Sequence, residues 1–294
     1  MRRRRAFTLI ELLVVIAIIA LLLAIMAPGL QKAKDKARDI VCRAHAKGLG
    51  RGIVIYLEEN DARAFNSNGS NGLNWTDAAG QYLKPGHADW AAAYWAVGYV
   101  DYVEDPAACG CPSYKAAALY DLSSQYYKPL AGQSAEAIGK LTGYGLNSFF
   151  YTDVRERTAT PPGPLRYNRK TSEIKSPSQF IIAQDHPEPK FEGWSQGGEQ
   201  NDMMYVPAGQ TVNLRQYRPS SAGGAGNREA HYGTIFRHSK RSAGLDEPSG
   251  MAQRISQINN QPNGRSNTIF LDGSVAPIPE HTSGLVTERQ YSGY

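Results

Sequence analysis

Residues 1–30 read MRRRRAFTLIELLVVIAIIALLLAIMAPGL, and the organisation of the whole chain follows from this stretch. From Phe7 to Ala27 nearly every residue is apolar. About 21 residues at ~1.5 Å rise are enough to cross the ~30 Å hydrocarbon core of a bilayer. Arg2, Arg3, Arg4 and Arg5 stand directly before the run, where the positive-inside rule places a cytoplasmic flank. Glu11 is the single charge within it, and a carboxylate in a membrane helix is costly unless something offsets it. A secretory signal peptide fits poorly: the run is long, carries Glu11 and lacks a small-x-small cleavage site before Pro28. A plain signal anchor, with Glu11 at the cytoplasmic interface, fits better. Pro28 removes a backbone hydrogen bond and Gly29 is a weak helix former. The pair predicts a helix break, as a kink at the membrane exit or a local unwinding.

Beyond the membrane segment, Gln31 to Asp39 (QKAKDKARD) reads as a charged, solvated helix. Leu49, Ile53 and Leu57 then recur at four-residue spacing, and Ala37, Val41, Ala44 and Gly48 form a second line of small residues. Such periodicity predicts a helix with one buried face. Gly48, Gly50 and Gly52 each weaken a helix by ~1 kcal/mol relative to Ala, a loss offset only by close packing against a sheet. The helix is expected to reach Glu59 and to end at Asn60-Asp61.

The formal net charge is +5, and Arg2–Arg5 supply four of those charges. The folded part is therefore near neutral, which argues against a nucleic-acid surface. Three cysteines, Cys42, Cys109 and Cys111, are too few for a disulfide framework. Cys109 and Cys111 sit too close in sequence for an easy bridge. Cys42 can pair with one of them in an oxidising compartment, or all three are free thiols. A zinc site needs two or more further ligands, and none lies nearby in sequence.

The remainder is rich in Gly, Asn, Ser, Tyr and Pro and reads as a loop-rich exported domain. Asp89 to Asp101 suggests a short helix on the stalk, and Tyr144 to Tyr151 a strand. Phe180 to Ala183 suggests a buried strand that ends at Asp185-His186-Pro187. Asp272-Gly273, flanked by apolar alternation, is a strong hairpin signal. Pro161–Pro164 reads as a loop and Glu192–Arg228 as a long irregular insertion. No GxSxG, HExxH, phosphate-binding glycine loop or EF-hand loop is present. Asp185, His186, His238 and Asp272 can converge as a metal or acid–base site, although turn hydrogen bonding is the commoner use of such residues. Trp75, Trp90, Trp95 and Trp194 offer faces for sugars, although core packing is the commoner use of Trp.

Ala6-Phe7-Thr8-Leu9-Ile10-Glu11 with its apolar run resembles the type IV prepilin and pseudopilin signature. The resemblance implies cleavage by prepilin peptidase between Ala6 and Phe7, and N-methylation of Phe7. Ala6 departs from the family's usual Gly. It also implies that Glu11 meets the N-terminal ammonium of a neighbouring subunit and acts in assembly. Ala37-Arg38, Cys42, Lys47, Tyr56, Asn60-Asp61, Cys111-Pro112-Ser113 and Tyr144–Ser148 resemble, in part, large pseudopilin-like proteins. His238 with Asp272-Gly273 resembles the His-then-Asp-Gly element of processing-associated prepilin-type proteins, with about 24 extra residues between its two parts. A structural calcium in the head, for example at the acidic loop Asp101–Asp105, is a further implication of the major pseudopilins.

The expected fold is α+β and pilin-like, a long N-terminal α-helix against an antiparallel β-sheet with long loop insertions. Its parts are a basic leader (1–6), a transmembrane and filament-core helix (7–29), an upper stalk helix (30–59) and an exported head (60–294). The expected function is a non-enzymatic subunit of an envelope filament, a type II secretion pseudopilin first and a surface type IV pilin or minor pilin second. A membrane-anchored carbohydrate-binding or enzymatic domain is the third reading. The expected partners are prepilin peptidase, copies of itself or other pilins and pseudopilins, and an inner-membrane assembly platform. The expected location is the bacterial inner membrane, single-pass, with the N-terminus cytoplasmic and the head periplasmic.

Overall fold

The computed structural model describes residues 8–67, 72–103, 105–113, 141–147, 150, 169–185, 238, 264–279 and 290, and the backbone of five two-residue strands. One helix, α1 (Leu9–Glu59), runs for 51 residues, or roughly 77 Å at ~1.5 Å per residue. The local unwinding expected as one outcome at Pro28-Gly29 is absent: the helix passes through Pro28 without interruption. Proline removes a single hydrogen bond, and the well-formed turns on either side carry the helix across it. The segments expected to span the membrane and to form the stalk are thus one continuous element. At the far end Asn60 is the C-cap, and its Nδ2 donates to the Tyr56 carbonyl at 2.8 Å. Asp61 and Ala62 then adopt left-handed backbone (φ 53° and 57°), which turns the chain away from the helix axis.

The two halves of α1 differ in burial. Leu9 to Leu30 expose every large apolar side chain, and this stretch is long and apolar enough to cross a membrane. The upper half buries Asp39, Cys42, Ala46, Leu49, Gly50, Gly52, Ile53 and Leu57. Leu49 and Ile53 are fully buried, each contributing roughly 1.5–3 kcal/mol. The second predicted line is corrected: Ala37, Val41 and Ala44 are exposed. The stripe instead continues downward through Ala46, Cys42 and Asp39, the alternating three- and four-residue step of a helix face.

The head contains β1 (Tyr144–Asn147), β2 (Thr152–Asp153), β3 (Arg166–Tyr167), β4 (Ile181–Asp185), β5 (Lys190–Phe191), β6 (Thr211–Val212), β7 (Arg265–Phe270), β8 (Val275–Pro279) and β9 (Val286–Thr287). The main sheet has the order β5-β1-β4-β7-β8. Its four longer strands are antiparallel, and β5 joins β1 in parallel at one edge. Every residue of β1 and β4 is buried, as in strands covered on both faces. β8 forms the other edge and carries Pro277 and Pro279 exposed, residues that an edge strand tolerates and that blunt further pairing. The predicted hairpin is β7–β8. Its turn is closed by the Phe270 amide to the Ser274 carbonyl at 2.9 Å, with Gly273 at φ +77°. β1 is shorter than the predicted strand, ending at Asn147, while Phe150 is buried beyond it.

α1 packs on β7, β8 and on two 3-10 segments, Trp95–Tyr102 and Pro106–Cys109. Tyr56 meets Tyr99 and Tyr102 edge-to-face, with centroids 4.9 and 5.3 Å apart. Of Gly48, Gly50 and Gly52, Gly50 lies against the sheet: a Cβ there would stand 2.9 Å from Ile269 Cγ2. Gly52 instead faces the 3-10 segment, where a Cβ would stand 2.8 Å from the Tyr102 carbonyl oxygen. That backbone atom cannot swing aside. Gly52→Ala is therefore expected to destabilise the head by about 1–3 kcal/mol in urea unfolding, despite the better helix propensity of Ala. An unchanged midpoint would refute the close approach.

Two tryptophans are core residues. Trp95 is fully buried and Trp75 nearly so. Trp95 Nε1 donates to the Tyr144 carbonyl at 3.0 Å, and Trp75 Nε1 to the Leu141 carbonyl at 3.2 Å. Trp90 stacks edge-on against Phe65. These side chains pack the core, as the commoner use of Trp suggests, and Trp75 and Trp95 have no free face for a sugar. Trp194, Pro161–Pro164 and nearly all of Glu192–Arg228 lie outside the described residues.

Candidate functional site

The lower end of α1 opens with a reciprocal cap. The Glu11 amide donates to Thr8 Oγ1 at 3.3 Å, and the Thr8 amide donates to Glu11 Oε2 at 2.8 Å. Thr8 Oγ1 also donates to Glu11 Oε2 at 2.8 Å. This capping box satisfies two helix-terminal amides, one with the Glu11 carboxylate and one with the Thr8 hydroxyl, and it gives Glu11 an intramolecular role. The prepilin resemblance by itself implies a partner for Glu11 only in another subunit. Ala6 and Phe7 lie outside the described residues.

A second constellation lies where α1 meets the head. His238 forms an antiparallel bridge with Arg265 at the start of β7, through His238 N–H to Arg265 O at 3.2 Å and Arg265 N–H to His238 O at 2.9 Å. The bridge directs its ring into a buried polar pocket. Nδ1 lies 3.3 Å from Asp39 Oδ1 on α1, and Nε2 lies 3.1 Å from Asp185 Oδ2 at the end of β4. Nε2 also lies 3.6 Å from Cys111 Sγ. Asp39 is held in turn by Arg43 Nη2 at 2.9 Å, one helical turn on. The Asn267 amide donates to Asp185 Oδ2 at 2.5 Å. Burial works against charging the imidazole, but the Asp185 carboxylate and the contact with Cys111 prevail and push His238 up to about 10.

Of the four residues predicted to converge, Asp185 and His238 do so. Asp272 does not: its Oδ1 accepts from the Ser274 amide at 2.9 Å and caps its own turn. His186 lies outside the described residues. The His-then-Asp-Gly element is therefore a histidine and a hairpin serving different ends. Asp39 was missed because it sits in a run of alternating charges that reads as solvated. Its signal was position, three residues before Cys42 on the face that leads to Leu49.

All three cysteines are buried, and none of them is in a disulfide. Cys109 is fully buried, which, with Asp105 nearby, pushes its thiol well above the ordinary range. Cys42 and Cys111 lie together, with His238 beside them. Asp105 of the acidic loop accepts from the Ala107 amide at 2.9 Å and caps the Pro106–Cys109 segment. Among the described residues, the group placed to hold a metal is Cys42, Cys111 and His238 rather than that loop.

The chain matches the family described as the prokaryotic N-terminal methylation motif over residues 1–27. It is 41% identical over 66 residues to the type IV wide pilus major component PilA4 of Thermus thermophilus. That similarity covers 22% of this chain, which spans 50% of the relative's length. No solved structure matches the chain significantly. With the motif at its start and a long helix lying on an antiparallel sheet, the chain is similar to type IV pilins over its N-terminal part.

Proposed function

We propose that the protein is a non-enzymatic structural subunit of a type IV pilus-like filament. One observation carries this reading: the methylation motif is followed by a helix whose first half exposes every large apolar residue while its second half is built into the head. Such a helix needs lipid or copies of itself around it. In the precursor it spans the inner membrane, with Arg2–Arg5 cytoplasmic and the head outside. Prepilin peptidase cuts between Ala6 and Phe7 and methylates the new amine. An inner-membrane assembly platform then moves subunits from lipid into the filament, where Ala17, Ala20 and Ala24 let helices approach closely. The Glu11 carboxylate, held by Thr8 in the single chain, pairs there with the Phe7 ammonium of a neighbour.

The sequence resemblance to large pseudopilin-like proteins supports a type II secretion pseudopilus. The wide-pilus relative supports a surface pilus. Gold-labelled antibody against the head, applied to intact cells, separates the two: labelled surface fibres are expected of a pilus, and absence of surface label with envelope label of a pseudopilus. The shared reading has its own test. Protein from the native membrane is expected to begin at N-methylated Phe7 by intact mass and N-terminal peptide. A chain that keeps Arg2–Arg5 would remove the filament reading.

A further inference from the structure

Cys42, Cys111 and His238 each offer a ligand atom, all three residues are buried, and the three atoms lie within 4.8 Å of one another. They come from distant parts of the chain: the stalk helix, the loop after the Pro106–Cys109 segment, and the bridge beside β7. We propose that these three side chains bind a zinc-class divalent cation that ties the stalk helix to the head, with the Asp185 carboxylate beside His238 moving in as fourth donor.

The distances fit the ion. With Zn–S near 2.3 Å and Zn–N or Zn–O near 2.0–2.1 Å, a tetrahedron has edges of about 3.5 Å for S···N, about 3.3 Å for N···O and about 3.8 Å for S···S. Cys111 Sγ to His238 Nε2 is 3.6 Å, and His238 Nε2 to Asp185 Oδ2 is 3.1 Å, but the Asp185 carboxylate does not lie within 4.8 Å of all three other donors and has to shift toward the sulfurs to join them. Cys42 Sγ has to close by about 1 Å at most to reach the S···S edge. Its Cβ lies on a regular helix, so rotation about χ1 is the motion available to close that gap.

The surroundings fit as well. A metal-bound histidine usually donates its other ring N–H to a carboxylate, which fixes the tautomer and the plane of the ring. His238 Nδ1 faces Asp39 Oδ1 at 3.3 Å, and Arg43 holds the second oxygen of Asp39. That leaves Nε2, the atom flanked by Cys111 and Asp185, as the ligand. Two thiolates and an imidazole select a borderline-soft cation such as zinc over calcium or magnesium, which prefer all-oxygen shells. Binding displaces one proton from each thiol and one from Nε2, with no change in oxidation state. The ligands are buried, as in a closed structural site rather than a catalytic one.

The test uses the full, untagged chain purified in detergent under reducing conditions. About one zinc per chain is expected by elemental analysis. After chelation and reloading with Co(II), a thiolate-to-cobalt charge-transfer band with tetrahedral d–d absorption is expected. Cys42→Ser and Cys111→Ser should each lose the band, whereas Cys109→Ser should keep it. The wild-type measurement decides even if a variant fails to fold. Absence of both stoichiometric zinc and the cobalt band overturns the site, as does a band that Cys109→Ser also abolishes. A non-reduced mass from the native membrane that is lighter by two hydrogens, with Cys42 and Cys111 peptides cross-linked, overturns it too, because a disulfide consumes both sulfur ligands.

Discussion

Glu11→Ala is expected to leave the protein stably inserted in the membrane and to remove it from filaments. Its share of sheared or pelleted filament should fall by roughly tenfold or more, since a charge-assisted contact made once per subunit is lost along the whole fibre. Two roles of Glu11 have to be separated, because the carboxylate also closes the capping box with Thr8. Glu11→Gln separates them. Glutamine at this position preserves the reciprocal cap but carries no charge. If pairing with a neighbour's ammonium is what matters, Gln fails in assembly as Ala does, while both variants fractionate with the membrane. Assembly restored by Gln would assign Glu11 to helix capping alone. Normal incorporation of the Ala variant would remove Glu11 from assembly altogether.

His238→Ala is expected to lower the stability of the metal-free head by about 3–5 kcal/mol in denaturant unfolding, with chelator present throughout. His238 stands between Asp39 and Asp185, with side chains 1%, 11% and 0% exposed. Removing the cation leaves Asp185 buried without it, at the end of the central strand β4. Arg43 still holds Asp39, so most of the cost should fall on Asp185. Asp185→Asn added to His238→Ala should then recover much of the loss, because the uncompensated charge is gone while a side chain of similar shape still accepts the Asn267 amide. A loss below about 1 kcal/mol for His238→Ala would mean that the cluster is solvated in solution.

The helix and its ends were legible because their signals are local. An apolar run after four arginines and an Asn-Asp stop are each set by a handful of adjacent residues, and α1 runs from Leu9 to Glu59. The β7–β8 hairpin was legible for the same reason, since Asp272-Gly273 carries the turn and the flanking residues carry the alternation. Unwinding at Pro28 does not occur: a proline signal weighs a lost hydrogen bond but not the cooperativity of the turns around it. The second helix stripe was misjudged because small residues score as packable wherever they recur. Which stripe is buried depends on where the head sits.

The histidine cluster shows where local signals end. Asp39, Cys111, Asp185 and His238 are separated by tens of residues, and no spacing rule links them. Zinc was set aside at the sequence level on the ground that no further ligand lay near the cysteines, whereas the nearest one in space is 127 residues from Cys111. The long apolar helix and its far end were thus determined by the sequence alone, since short-range hydrogen bonding and hydrophobicity are properties of neighbours along the chain. The meeting of Cys42, Cys111, His238 and the two aspartates was decided by tertiary structure. Only the order of the sheet and the seating of α1 on β7 bring those residues within reach, and once buried there each polar group must be satisfied by whatever the fold has placed beside it.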